Sequence, residues 1–285
     1  MNGLDDLAAA IDAGERQVAT LKPDNEARVV FQGALPHRRR PLAVVYLHGF
    51  TASQAEGAPA HRAIADACDA HLYLARLHGH GSDDPQAMAG ITAARWRNDA
   101  AAAMAIGLRL GERVVLVGTS MGASLALDLA ATHGDAVAAT IVWSPGIRVH
   151  DPDQLRMATT LQGAVPAQGE RSDFQRRYWS SMIHTDGYRA IAHLFEERMR
   201  RERLARIAGP VFMGVWDGGE GDRDTLTSVL AMREAFAWLG TPAQERVLVA
   251  YDHAAHVLAS PQRSPAAGRV LADTLAFLRR IDLAG

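Results

Sequence analysis

Short, nearly unbroken apolar runs alternate with longer amphipathic stretches along most of this 285-residue chain. The runs Leu42–Leu47, His71–Leu77, Arg113–Val117, Ala138–Trp143, Pro210–Trp216 and Arg246–Tyr251 are mostly apolar and too short for helices. They predict strands, most of them buried on both faces. Between them Ala58–Asp69, Thr92–Leu110, Met121–His133, Leu226–Leu239 and Pro265–Ile281 carry helix-forming residues. Strand and helix in turn predict an α/β class: a mostly parallel, doubly wound sheet with helices on both faces. Ligands of such sheets bind beyond the carboxyl ends of the strands.

One interval departs from the alternation. Between Ser144 and Ala208 no convincing strand is legible, and the interval is too long for a single crossover. Asp173–Ile183 and Gly187–Ala205 read as helices and carry Tyr178, Trp179, Met182 and Phe195. The expectation is one domain over residues 1–285 with a small helical cap inserted at 145–208. The basic run Arg198–Arg206 reads as a solvated face of the second cap helix. At the other end, residues 1–20 predict an amphipathic, Ala-rich helix and Ala27–Gln32 a strand. The charged segment Pro36–Pro41 then reads as a solvated loop.

Composition narrows the partners more than the fold. Hydrophobic content of 48% and charged content of 22% are those of a globular protein. A net charge of -2 gives no electrostatic case for nucleic acid or an anionic membrane. Cys68 is the only cysteine, so neither an internal disulfide nor a multi-thiolate metal site is available. The first twenty residues hold Asp5, Asp6, Asp12 and Glu15 and no apolar core of a secretory leader, which makes the cytoplasm the expected compartment. No cofactor or metal is expected, and no sequence feature speaks for an oligomer.

The chemistry concentrates at Gly118-Thr119-Ser120-Met121-Gly122. The pentapeptide alone is common in a chain with 25 glycines, but here a strand precedes it and a helix comes after. That context describes a nucleophile elbow with Ser120 at its tip. A serine hydroxyl attacks only when a base takes its proton and an acid orients the base. The loop after the last strand offers His253 and His256; the Gly-rich loop after Trp216 offers Asp217, Glu220, Asp222 and Asp224. Loop reach alone does not choose among them. An oxyanion hole needs two backbone N–H donors. Met121 supplies one by following the nucleophile, and Phe50, in His48-Gly49-Phe50 after an early strand, is placed for the other. His48, His78 and His80 lack carboxylate or thiolate partners at ligand spacing and read as structural.

With these pieces together the chain resembles the α/β-hydrolase superfamily, and within it small-cap bacterial carboxylesterases. Leu47-His48-Gly49-Phe50 is similar to the family's oxyanion loop, Leu77-His78-Gly79-His80-Gly81 to its next loop, and Gly118–Gly122 to its elbow. Asp224, two places before Leu226, resembles the family's acid motif, and His256-Val257-Leu258 its histidine motif. The resemblance therefore implies a triad of Ser120, His256 and Asp224, acting on a small-molecule ester. The loop from Asp217 to Asp224 is longer than the family's usual turn. Thioesterase or acyltransferase activity on the same residues, or ligand binding without catalysis, are the competing expectations. Trp179, Tyr178 and Met182 are candidates to line an acyl pocket, Trp179 and Met182 from one helix face.

Overall fold

Strand-forming runs and helix-forming stretches alternate in the computed structural model. The strands are β1 (Arg28–Val30), β2 (Arg40–Leu47), β3 (His71–Leu74), β4 (Gly111–Thr119), β5 (Val137–Trp143), β6 (Ala164–Pro166), β7 (Met182–His184), β8 (Val211–Gly219), β9 (Asp222–Arg223) and β10 (Arg246–Tyr251). The helices are α1 (Leu4–Glu15), α2 (Ala60–Ala67), α3 (Ala93–Leu110), α4 (Met121–His133), α5 (Pro152–Thr160), α6 (Asp173–Tyr178), α7 (Asp186–Arg198), α8 (Arg201–Leu204), α9 (Val229–Trp238) and α10 (Ala267–Arg280). The structure describes residues 3–35, 37–167 and 169–285. Met1, Asn2, Pro36 and Gln168, which fall in the predicted first helix, charged loop and cap, lie outside the described residues.

The main sheet runs β1-β3-β2-β4-β5-β8-β10, with β9 folded back on β8. Its interior pairs are parallel; β1 on β3 and β9 on β8 are antiparallel. The central strands are apolar because both faces are covered. Along β2, Ala43, Val45 and Leu47 join one core with α3 and α4, while Val44 and Tyr46 join a second core with α2 and α10. Val114 and Leu116 of β4 alternate with Val115 and Val117 in the same way. This two-sided burial is the main stabilising term, on the order of 1.5–3 kcal/mol for each large aliphatic side chain removed from water. Among the described residues no helix is long and apolar enough to cross a membrane.

The connection from β5 to β8 differs from the expected helical insertion. It does hold strand: β6 and β7 pair antiparallel, Ala164 opposite His184 and Pro166 opposite Met182. A further helix, α5, begins with Asp151 accepting hydrogen bonds from the Asp153 and Gln154 amides, and Pro152 stands at its first position. Helix α6 stops at Tyr178, so Trp179 and Met182 do not share a helix face; Trp179 is extended and Met182 sits on β7. Nor is the basic run simply solvated. Arg198 and Arg203 reach Asp128 of α4, at 2.8 and 2.7 Å, and Arg97 of α3 reaches the same carboxylate at 3.3 Å. Asp128 is 7% exposed, so three guanidinium groups surround one nearly buried charge.

The acidic loop after Trp216 also has more order than its glycines predict. β8 continues to Gly219 and returns through β9, with Gly219 and Gly221 in the positive-φ conformation the tight reversal needs. Helix α9 starts later than expected, with Ser228 as its cap accepting from the Ala231 amide. Leu226 and Thr227 are left in the loop.

Candidate active site

Ser120 joins the end of β4 to the start of α4, and only a sharp reversal fits between them. Its backbone has φ 53° and ψ -118°, a region L-residues rarely occupy. Such a conformation costs about 1–3 kcal/mol and persists when its surroundings over-determine it. They do: the Ser120 amide donates to the Trp143 carbonyl at 3.0 Å, and its carbonyl accepts from the Ser124 and Gly146 amides, both at 3.1 Å. The two flanking glycines are required by close approach. A Cβ on Gly118 would meet the Ala123 nitrogen at 2.6 Å, and one on Gly122 would collide with the Leu47 carbonyl.

Three loops converge on this serine. His256 Nε2 lies 2.8 Å from Ser120 Oγ, and its Nδ1 lies 2.6 Å from Asp224 Oδ2. The His256 side chain is 12% exposed and that of Asp224 0%. Asp224 is held by the residues just after it in the chain: its Oδ1 accepts from the Leu226 amide at 2.9 Å and the Thr227 amide at 3.1 Å, and its Oδ2 from Thr227 Oγ1 at 3.0 Å. Its own amide donates to the Trp216 carbonyl at 3.1 Å. Because the Asp224 carboxylate only accepts, Nδ1 carries the ring hydrogen of neutral His256 and Nε2 is left to accept from Ser120.

The charges reinforce one another. Burial disfavours an imidazolium at His256, but Asp224, through charge and hydrogen bond, and then Glu56 outweigh it and raise its pKa above the ordinary value. Burial likewise opposes a charged Asp224, yet His256 and the two backbone donors hold its carboxyl below the usual carboxylate range.

The other aspartates of the acidic loop are engaged elsewhere. Asp222 accepts from Trp216 Nε1 and from the His253 amide, each at 2.7 Å, and Asp217 pairs with Arg233 at 2.7 Å. The His253 side chain is 86% exposed. Neither Asp222, Asp217 nor His253 is brought to Ser120.

On the opposite side, Gly49 and Phe50 come directly after β2. His48 Nε2 accepts from the Leu77 amide at 3.1 Å, which leaves Nδ1–H to donate to the Gly49 carbonyl at 2.9 Å. Burial pulls the His48 pKa down to about 4, so the ring stays neutral and pins this turn. Met121 opens α4, where a helix leaves its first amides without internal acceptors. Among the described residues neither the Met121 nor the Phe50 amide donates to a protein acceptor. The Met121 amide directly follows the serine, and Phe50 follows Gly49, whose backbone packs beside the Ser120 Cβ.

Of the predicted pocket residues, Trp179 packs with Ala52 and Val257, from the loops that carry Phe50 and His256. The Ser180 amide donates to the Thr51 carbonyl at 2.8 Å, tying the β5–β8 connection to the same loop. Tyr178 turns to Phe174, ring centroids 5.1 Å apart, and Met182 lies in the β6–β7 pair. Two neighbours of the site are not legible in the sequence. Tyr188 of α7 packs edge-on against Phe50 at 5.5 Å, and Glu56 lies buried behind Gly49. The only signal for Glu56 is an acid among small residues, in Gln54-Ala55-Glu56-Gly57-Ala58.

Several solved structures share this architecture. One of the metagenome-derived lipolytic enzymes LipS and LipT superposes with a TM-score of 0.72 at 21% identity, over 91% of this chain and 99% of that one. A monoglyceride lipase from Saccharomyces cerevisiae gives 0.69 at 13% identity, over 93% and 97% of the two chains. A monoacylglycerol lipase from Paleococcus ferrophilus gives 0.66 at 14%, over 91% and 100%. At these identities the likeness establishes the fold. No curated protein sequence matches the chain. Residues 39–183, just over half of the chain, match the family described as serine aminopeptidase, S33. This chain is therefore a member of the serine aminopeptidase S33 family and an α/β-hydrolase.

Proposed function

We propose that the protein is a serine hydrolase that cleaves small carboxylic esters through an acyl-enzyme on Ser120. The observation that carries this reading is the hydrogen-bonded line from Ser120 through His256 to the fully buried Asp224, at 2.8 and 2.6 Å. His256 Nε2 takes the hydroxyl proton as Ser120 Oγ attacks the ester carbonyl, and Asp224 stabilises the imidazolium that results. The carbonyl oxygen becomes an oxyanion between the Phe50 and Met121 amides. His256 then returns the proton to the leaving alkoxide; in the second half a water, deprotonated by the same nitrogen, attacks the acyl carbonyl, the bond to Ser120 Oγ breaks to release the acid, and His256 gives the proton back to Oγ. Esters are preferred over amides here because the superposed enzymes are described as lipolytic or as glyceride lipases. The family's description favours a second reading, cleavage of peptide N-termini.

Rates on matched p-nitrophenyl esters, thioesters and aminoacyl anilides separate the readings, with a fluorophosphonate probe reporting whether Ser120 is activated at all. Ester turnover exceeding both others is the expected result. Faster anilide cleavage would establish the peptidase, and no probe labelling would leave a ligand-binding protein.

In this reading the β5–β8 connection acts as a cap whose Trp179 borders the acyl side. Truncation of Trp179 to alanine is expected to change the ranking of acyl chain lengths, because it empties space between the Ala52 and Val257 loops. An equal loss at every chain length would assign Trp179 to packing alone.

Asp224→Asn is expected to lower kcat by roughly 10⁴. The Leu226 and Thr227 amides select the carboxamide oxygen for the Oδ1 position, which turns the NH₂ toward His256 Nδ1. Nδ1 must then accept, and Nε2–H faces Ser120 with no lone pair to offer. Asp222→Asn is the matched control and should retain most activity. The reverse ranking in steady-state assays would overturn the assignment.

A further inference from the structure

Glu56 lies on the short helical turn Gln54–Gly57 and is 2% exposed. Its Oε2 accepts from the Gly49 amide at 2.6 Å and from Tyr46 OH at 3.3 Å. With its proton directed at Glu56, Tyr46 accepts from Thr119 Oγ1, 3.0 Å away, and Thr119 is the residue before the serine. Gly49 in turn lies between this carboxyl and the nucleophile. A Cβ built on Gly49 would stand 2.9 Å from Glu56 Oε1 and 3.3 Å from Ser120 Cβ. Glu56 Oε1 takes no hydrogen bond among the described residues, and no lysine or arginine there pairs with this carboxylate.

The elements packed around Glu56 bring it little charge. From β2 comes Tyr46, whose burial raises its pKa well above the ordinary phenol and keeps it protonated. Beside it on α2 is His61, ring centroid 5.0 Å from that of Tyr46, held neutral by burial at about 3. His48 is neutral for the same reason. On α6, which packs on this turn, Arg176 pairs with Asp173 and Arg177 with Asp24 at the surface. His256 is the remaining group, and the two influence each other. Burial pushes the Glu56 carboxyl up to about 7, with the Gly49 amide, His256 and Tyr46 only partly offsetting it.

We propose that Glu56 is a positioning residue of the site that must be ionised for turnover: it fixes the Gly49 amide, and so the Phe50 turn, and presents a second carboxylate to the His256 imidazolium. The proposal rests on Ser120, His256 and Phe50 acting as described above. A protonated Glu56 loses the charge-assisted bond to Gly49 and ceases to stabilise the cation. The active form then has lost two protons, one from His256 and one from Glu56. Because the groups interact, these are two macroscopic steps of the pair.

The test is the acid limb of two pH profiles, kcat/KM for a short-chain p-nitrophenyl ester and the rate of inactivation by a fluorophosphonate. In the wild type, log rate is expected to climb with a limiting slope of about two at low pH. In Glu56→Gln the slope should fall to about one, the midpoint should move to lower pH, and the plateau should drop by about tenfold to 10²-fold. A loss from packing alone lowers the plateau and leaves the slope as it was. Tyr46→Phe serves if the glutamine variant does not fold: removing a donor to the ionised carboxylate should keep the slope and shift the limb to higher pH. A wild-type slope of one, or an unchanged slope in Glu56→Gln, overturns the proposal while labelling persists. Absence of labelling would instead remove the Ser120 reading on which it stands.

Discussion

Ser120→Ala is expected to reduce ester turnover by on the order of 10⁶ and to abolish fluorophosphonate labelling. The hydroxyl is the only atom lost, and its single described hydrogen bond is the one to His256 Nε2. Alanine at φ 53° bears the same backbone strain as serine, and the bonds that hold this turn come from the Trp143, Ser124 and Gly146 backbone. The thermal midpoint should therefore stay within a few degrees of the wild type. Together these results would separate loss of chemistry from loss of structure. More than a tenth of the wild-type rate, measured at saturating ester, would rule out Ser120 as the nucleophile.

The second large effect belongs to His256. His256→Ala should cost nearly as much as the serine change, because a nucleophile without its base gains little from the rest of the constellation. His253→Ala should cost little: that side chain points to solvent, and its link to the acidic hairpin is made by its backbone amide. The wild-type rate should rise with pH, since only neutral imidazole accepts the serine proton. The sign is set by the surroundings. Asp224 and Glu56 favour the cation more than burial disfavours it, so the neutral form appears at higher pH than in an ordinary histidine. An inactive His253→Ala beside an active His256→Ala would transfer the role of base to the other histidine of this loop.

The parts of the molecule that are legible in the chain share a physical cause. Strands covered on both faces must be apolar along their whole length, and the run Ala138–Trp143 marks the fully buried β5 to within one residue of its observed ends. The elbow is legible because strand, glycine spacing and helix coincide around Ser120. The acid is not fixed by its own residues, since one hairpin presents three aspartates at similar reach. Asp224 is distinguished in three dimensions, by its full burial, by the Leu226 and Thr227 amides and by its contact with His256 Nδ1. The β5–β8 connection is harder still. β6 and β7 are three residues each, too short for a period to register, and α6 ends before the tryptophan that a helical spacing would include. The arginines from Arg198 onward look solvated in the sequence because their partner stands some seventy residues earlier. Glu56 is silent for the same kind of reason: its meaning depends on Gly49 folding back over it.

The ring of guanidinium groups around Asp128 bears on how this scaffold is able to diversify. Two of the three arginines belong to the β5–β8 connection and the third to α3, while the carboxylate sits on the helix that Ser120 opens. Grafting a foreign connection in place of residues 144–210 would strip away both Arg198 and Arg203 and leave a nearly buried carboxylate with Arg97 alone, at 3.3 Å. A buried charge left with no partner costs about 3–5 kcal/mol, a large share of a domain's net stability, and Arg97 offsets only part of that. Exchange of whole connections therefore selects for donors that bring equivalent arginines, or for a prior neutral residue at 128. The stretch from α5 through β7 is free of this tether, and it is there that drift in sequence can retune specificity while the framework stays intact.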